Sequence, residues 1–261
     1  MIPETGTSPL LQEKKPGWRG LSSFTLHLLA MVLMLGDHLW ATIFPYLNWL
    51  TCLGRIAFPI FAFMIVEGYF HTRNFKKYIL RMLAFALVAE VPFDLVYGSM
   101  AFYPFHQNVL WTFLIALLLI HWVEKTKQQQ NRMKSALVLA AAFLVGFLLG
   151  NLAMVDYYGV GVLVVLMFYV LRKRTVLNFV LQALCMYYVF VELIGGYYYP
   201  VTIFGHYFEL QQEAFSLLAL LPIWLYKGRQ GYHAKWWQYF CYGFYPGHLL
   251  VLYVVWQLLL R

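Results

Sequence analysis

Long apolar runs alternate with short polar breaks along the whole chain, and the runs recur at about 16 to 22 residues. A helix needs about 20 apolar residues to cross a bilayer, because each residue adds about 1.5 Å against a hydrocarbon thickness of about 30 Å. The pattern predicts helices over 24–44, 53–70, 77–97, 108–123, 135–153, 157–171, 175–194, 211–226 and 237–260. The expected fold class is all-α: a polytopic membrane helical bundle of about nine transmembrane helices. Residues 1–20 read as a polar tail and 21–261 as a single domain, with no internal repeat and no low-complexity tract.

The polar breaks carry a directional signal. Lys14, Lys15 and Arg19 precede the first run, and Arg73, Lys76, Lys77 and Arg81 follow the second. Lys125, Lys127, Arg132 and Lys134 follow the fourth, Arg172, Lys173 and Arg174 the sixth, and Lys227, Arg229 and Lys235 the eighth. Of the 19 Lys and Arg, only Arg55 and Arg261 fall on the other side. Cytoplasmic loops retain basic residues, so the amino terminus is expected in the cytoplasm and the carboxyl terminus outside. The segment 195–210, with Tyr197, Tyr198, Tyr199 and Tyr207, is expected at the outer interface, where amphipathic rings are favoured.

Composition agrees with the pattern. The chain is 62% hydrophobic and 11% charged, with mean hydropathy +0.65, which no soluble fold of this size accommodates. The net charge of +8 sits in loop clusters, which argues for membrane topology and against nucleic acid as a partner. Met1 to Gly20 has no apolar core or small-residue cleavage site, so the first membrane helix is expected to serve as its own insertion signal. Cys52, Cys185 and Cys241 have no metal-ligand spacing and read as packing residues, without a disulfide.

Ionisable residues inside the apolar runs are the candidates for chemistry, because each costs on the order of 3 kcal/mol at the bilayer centre. By rise per residue, Asp37, His38, Arg55, Asp94, Gln107, Asn108, Asp156 and Glu213 fall in the outer half, and His248 near mid-depth. Glu67, His71, Arg73, Lys76, Lys77, Arg81, Arg172, Lys173 and Arg174 fall at the inner end. Pro59, Pro92 and Pro246 lie beside these residues, and each removes a backbone hydrogen bond to the carbonyl four residues earlier. Pro59 therefore frees the carbonyl of Arg55.

His38 is the candidate general base, since a neutral imidazole accepts a proton near neutral pH. Adjacent helical residues point about 100° apart, so Asp37 cannot orient His38 and is expected to pair with Arg55. The orienting partner of His38 must come from another helix. Glu90 and Asp94 share a helix face and need a cation or a shared proton between them; Arg55 is available to one of them. Glu67 and His71 repeat that spacing. His27, His121, His206 and His233 are assigned no chemistry, and no zinc site, nucleophile elbow or glycine-rich phosphate loop is present.

Gly36-Asp37-His38, Gly54-Arg55-Ile56-Ala57-Phe58-Pro59-Ile60-Phe61-Ala62-Phe63 and Glu67-Gly68-Tyr69-Phe70-His71-Thr72-Arg73-Asn74 resemble the opening motifs of the TraX family. Arg81, Glu90-Val91-Pro92-Phe93-Asp94, Gln107-Asn108-Val109 and Tyr245-Pro246-Gly247-His248-Leu249 continue the likeness in order, although Trp40 and Gly247 depart from the pattern. The resemblance implies a multi-pass acetyltransferase of the bacterial cytoplasmic membrane, a family whose named member acetylates the amino terminus of a conjugative pilin. It implies acetyl-CoA as donor, an amine or hydroxyl acceptor presented in or across the membrane (a pilin-like peptide or another), and no metal. In that reading His38, Asp37, Arg55 and His248 are catalytic, and Glu90, Asp94, Gln107 and Asn108 line the substrate and oxyanion cavity. Glu67, His71, Arg73, Lys77, Arg81, Arg172 and Arg174 then bind the coenzyme. The residues alone leave two alternatives open: an ion-coupled transporter, which would usually show inverted repeats, and a non-enzymatic membrane assembly factor.

Overall fold

A computed structural model describes residues 20–232 and 234–259. The polar tail with Lys14, Lys15 and Arg19, and also His233, residue 260 and Arg261, lie outside the described residues. The elements run β1 (Leu21–Ser22), α1 (Ser23–Thr42), α2 (Asn48–Gly54), α3 (Ala57–His71), α4 (Phe75–Tyr97), α5 (Val109–Lys127), α6 (Arg132–Leu152) and α7 (Tyr158–Val170). They continue with α8 (Val176–Tyr187), which passes into a π-helical turn at Tyr188–Ile194, then β2 (Tyr198–Ile203) and β3 (His206–Gln211). A 3₁₀ segment (Glu213–Ala219), α9 (Leu220–Leu225), β4 (Tyr226–Arg229) and α10 (Lys235–Leu259) complete the described chain.

Short polar residues start the helices. Ser22, Asn74, Asn108, Asn131 and Thr175 cap α1, α4, α5, α6 and α8, each side chain accepting a backbone N–H that the first turn leaves without a partner. Among the described residues, five helical stretches are long and apolar enough to cross a bilayer: Ser23–Thr42, Asn48–His71, Val109–Lys127, Arg132–Leu152 and Val176–Ile194. This is a membrane protein with a predominantly helical fold. Tyr158–Val170 and Glu213–Leu225 are apolar but shorter; thirteen residues rise only about 20 Å. α7 is instead the centre of the bundle, buried along nearly its whole length. Gly146 and Gly150 of α6 let it approach α7 closely: a Cβ on Gly150 would collide with the backbone of Gly159.

Three sequence expectations need revision. The second span begins at Asn48 rather than 53 and is interrupted at Arg55–Ile56. Pro59 has no N–H for the Arg55 carbonyl, and Ser216 Oγ donates to that oxygen instead at 3.2 Å. The segment 195–210 is not a plain loop: β2 and β3 pair antiparallel from Tyr198↔Gln211 to Ile203↔His206. Phe204 and Gly205, at φ +50° and +79°, make its two-residue turn. Consequently the helix expected over 211–226 starts at Glu213 in 3₁₀ form. The fold is also not purely α, since β1 and β4 pair in parallel through Leu21↔Tyr226 and Ser22↔Arg229.

Candidate functional site

His38 and His248 meet across α1 and α10. His38 Nδ1 lies 2.6 Å from His248 Nε2, with the rings nearly parallel and both residues buried. His248 Nδ1 lies 2.6 Å from the Phe244 carbonyl oxygen, which can only accept. These partners assign the protons. His248 donates from Nδ1 and presents its Nε2 lone pair, so His38 donates from Nδ1 and keeps a lone pair on Nε2. That Nε2 has no hydrogen-bond partner among the described residues. The partner expected from another helix is thus His248, which the sequence places near mid-depth.

The Asp37–Arg55 ion pair forms as expected, at the break between α2 and α3. Thr51 Oγ1 donates to Asp37 Oδ1 at 2.7 Å, and Gln212 Nε2 donates to Thr51 Oγ1 at 2.5 Å. The other face of the guanidinium was not foreseen: Arg55 Nη1 donates to Glu213 Oε1 and to the Tyr157 hydroxyl, each at 3.3 Å. One cation therefore serves the buried Glu213 and the partly buried Asp37, while Arg55 Nε is buried without a hydrogen-bond partner among the described residues. A side chain at Gly54 would collide with Asp37, so the close approach of α1 and α2 requires that glycine. Tyr157 adopts φ +59°, a left-handed conformation that turns its ring onto Phe58, with centroids 4.1 Å apart. Depth places Glu213 in the outer half with Arg55; nothing in its local sequence points to their pairing.

Arg55 does not reach Glu90 or Asp94, which neutral donors hold instead. Glu90 Oε2 accepts from Asn108 Nδ2 and, at 2.7 Å, from Trp111 Nε1. Asp94 Oδ2 accepts from the Tyr103 backbone N–H at 2.8 Å. The second oxygen of each carboxylate is buried without a partner among the described residues. Asn108 Nδ2 also donates to the Ala86 carbonyl at 2.9 Å, which occupies both amide hydrogens. The Gln107 side chain donates to the Pro104 carbonyl at 2.9 Å and holds its own loop.

Beside this cluster, His106 Nε2 lies 3.5 Å from Asp156 Oδ1, joining the α4–α5 loop to the α6–α7 loop. The bond to Asp156 raises the His106 imidazole above its ordinary 6.5, against the opposing effect of burial. A raised value in the folded state stabilises below pH 6.5, and that contribution is lost as pH climbs through the folded-state value. Thermal unfolding in detergent should show a small fall in midpoint above pH 6.5 that His106→Gln abolishes. An identical pH profile in the variant would remove this contact from the account.

At the basic end a cavity of about 850 Å³ opens among α1, α3, α4, α5 and α10. Glu67, His71, Arg73 and Arg81 line it, as the coenzyme assignment requires, but Lys77, Arg172 and Arg174 do not. Arg172 Nε donates to Glu67 Oε1 at 2.6 Å with its guanidinium over the Phe70 ring, and Arg174 caps the carbonyls of Trp224 and Tyr226. Along α1 the lining runs from Ser23 to Met34, about 16 Å by helical rise. Met34 is one helical turn short of His38. Tyr245, also in the lining, has its ring 6.3 Å from that of His38 and 5.9 Å from that of His248.

The sequence profile of the TraX protein family matches residues 22–256. The chain belongs to the TraX family. The match takes in every residue of the His38–His248 pair, the Arg55 cluster and the cavity. The TraX-family chain is also 30% identical over 133 residues to the probable fimbrial assembly protein FimC, serogroup H1, of Dichelobacter nodosus, covering 47% of this chain and 54% of that protein. It thus spans about half the length of the curated relative that it matches. No solved structure matches the chain.

Proposed function

We propose that this TraX-family protein is an acyltransferase that moves acetyl from cytoplasmic acetyl-CoA to an amine or hydroxyl acceptor in or across the bacterial cytoplasmic membrane. The observation that carries the reading is the cavity that enters at the basic end and stops one helical turn below the His38–His248 pair. Arg73 and Arg81 in its lining suit phosphate, and an arm threaded along α1 as far as Met34 would end one helical turn from His38. Held reactants avoid the entropy of encounter, so such a channel supplies much of the rate by itself.

In this mechanism His38 Nε2 takes the proton that the attacking amine loses, while His248 accepts from His38 Nδ1 and fixes the ring. The new bond to the acetyl carbon forms as the carbon–sulfur bond breaks, and His38 returns the proton to the departing thiolate. Arg55 Nε, buried and without a hydrogen-bond partner among the described residues, is the donor this reading assigns to the negative charge on the carbonyl oxygen. The family's link to pilin acetylation and the fimbrial-assembly name of the relative support a peptide amino terminus as acceptor, in the setting of pilus assembly.

The test is direct. Purified protein given acetyl-CoA and a peptide with a free amino terminus should release coenzyme A thiol and form an acetyl-amide. Absence of both products would leave the assembly-factor reading in possession. The same proposal includes nine crossings, with the amino terminus cytoplasmic and the carboxyl terminus outside, on the strength of the basic-residue asymmetry. Reporter fusions after Lys127 and after Arg261 should then report opposite sides; matching reports would refute the crossing number.

A further inference from the structure

We infer that the mouth of the basic-end cavity is a nucleotide subsite, with an aromatic wall for the base and a cationic wall for the phosphates. The inference rests on the acyl-transfer reading and deepens it by naming which part of the donor the protein recognises.

Phe24, Tyr232 and Trp237 make the aromatic wall. Their placement is fixed by backbone. The Phe24 N–H donates to the Gln230 carbonyl at 3.1 Å, extending the β1–β4 ladder. Gly231 then turns the chain at φ +75°, where any side chain would strike Ser22 and Phe24. That turn brings the Tyr232 ring to 5.6 Å from the Phe24 ring, while the Trp237 ring lies 4.7 Å from it. Trp236 Nε1 donates to the Tyr232 hydroxyl at 2.9 Å and holds the ring in place. Tyr232 is half exposed, so a flat ligand can lie against it.

His71, Arg73 and Arg81 come from the α3 and α4 side of the same cavity. Arg73 and Arg81 have no carboxylate partner among the described residues. The one carboxylate in the lining, Glu67, is held by Arg172. An anion entering here therefore meets cations without a competing bare carboxylate. Base stacking on an aromatic ring and phosphate binding by arginine are the two contacts a nucleotide can make that a bare thioester arm cannot. An acyl donor lacking the nucleotide would fill only the apolar part of the cavity.

The probe is adenosine 3′,5′-bisphosphate, the nucleotide end without the arm, titrated calorimetrically into the purified full chain. It should bind, more weakly as salt rises, and Tyr232→Ala should weaken it by about tenfold while Tyr232→Phe retains binding. Arg81→Gln should weaken it independently. Transfer from acetyl-pantetheine should show a KM at least about tenfold above that for acetyl-CoA, with kcat little changed. No binding of the bisphosphate, binding indifferent to both Tyr232→Ala and Arg81→Gln, or equal KM for the two donors would each overturn the subsite. Bisphosphate binding with these sensitivities but without transfer from any donor would uphold the subsite and overturn the acyl-transfer reading.

Discussion

His38→Ala is expected to slow acetyl transfer by a factor of about 10² to 10⁴, the usual cost of losing a positioned base, while binding acetyl-CoA nearly normally. The expectation follows from the proton assignment. His38 Nε2 is the only nitrogen of the two-histidine pair with an uncommitted lone pair, because the Phe244 carbonyl fixes His248 and His248 fixes His38. His248 is consequently a positioning residue rather than a substitute base. His248→Ala should lower the rate by less than His38→Ala and change the pH dependence of kcat. The double substitution should be no slower than His38→Ala alone, since residues acting as a unit are not additive. Near-normal transfer by His38→Ala would defeat this mechanism, and an additive double variant would show that the histidines act separately.

What the sequence makes legible here is what depends on local composition. Apolar run length located most of the helices, because apolar backbone in a bilayer has little choice but helix. Only five of the helical stretches among the described residues, however, are long and apolar enough to cross. Pro59 correctly marked a freed carbonyl at Arg55, because the missing N–H is written in the residue itself. The hairpin at 198–211 was missed since its turn is Phe204-Gly205 and lacks the usual Asn-Gly or Asp-Gly signal. Within the site, Asp37–Arg55 was found because buried opposite charges one helix apart must compensate. Glu213 was placed in the outer half by depth, but its pairing with Arg55 was not read, because the two lie 158 positions apart in sequence. Arg172 and Arg174, assigned to the coenzyme from the sequence, are instead engaged by Glu67 and by the carbonyls of Trp224 and Tyr226, partners that local sequence does not announce. Depth and face are readable from one sequence; the partner across the bundle is not.

The largest structural loss is expected at Arg55, which is held from three directions by groups on separate elements: Asp37 on α1, Tyr157 at the start of α7 and Glu213 in the 3₁₀ segment. Removing one partner of a buried pair costs about 3 to 5 kcal/mol, since the charge left behind keeps its desolvation penalty. Arg55→Met strands two carboxylates, so unfolding in detergent should move by at least that amount. Arg55→Lys keeps the charge but not the planar fork, and an ammonium cannot serve Asp37 and Glu213 at once. It should lose part of the stability and most of the activity. The charge argument has its own control: Glu213→Gln in the Arg55→Met background should recover some of the loss, because it removes one stranded carboxylate. If Arg55→Met unfolds like the parent protein, or if Glu213→Gln makes it worse, the cluster is held by packing rather than by compensation of charge.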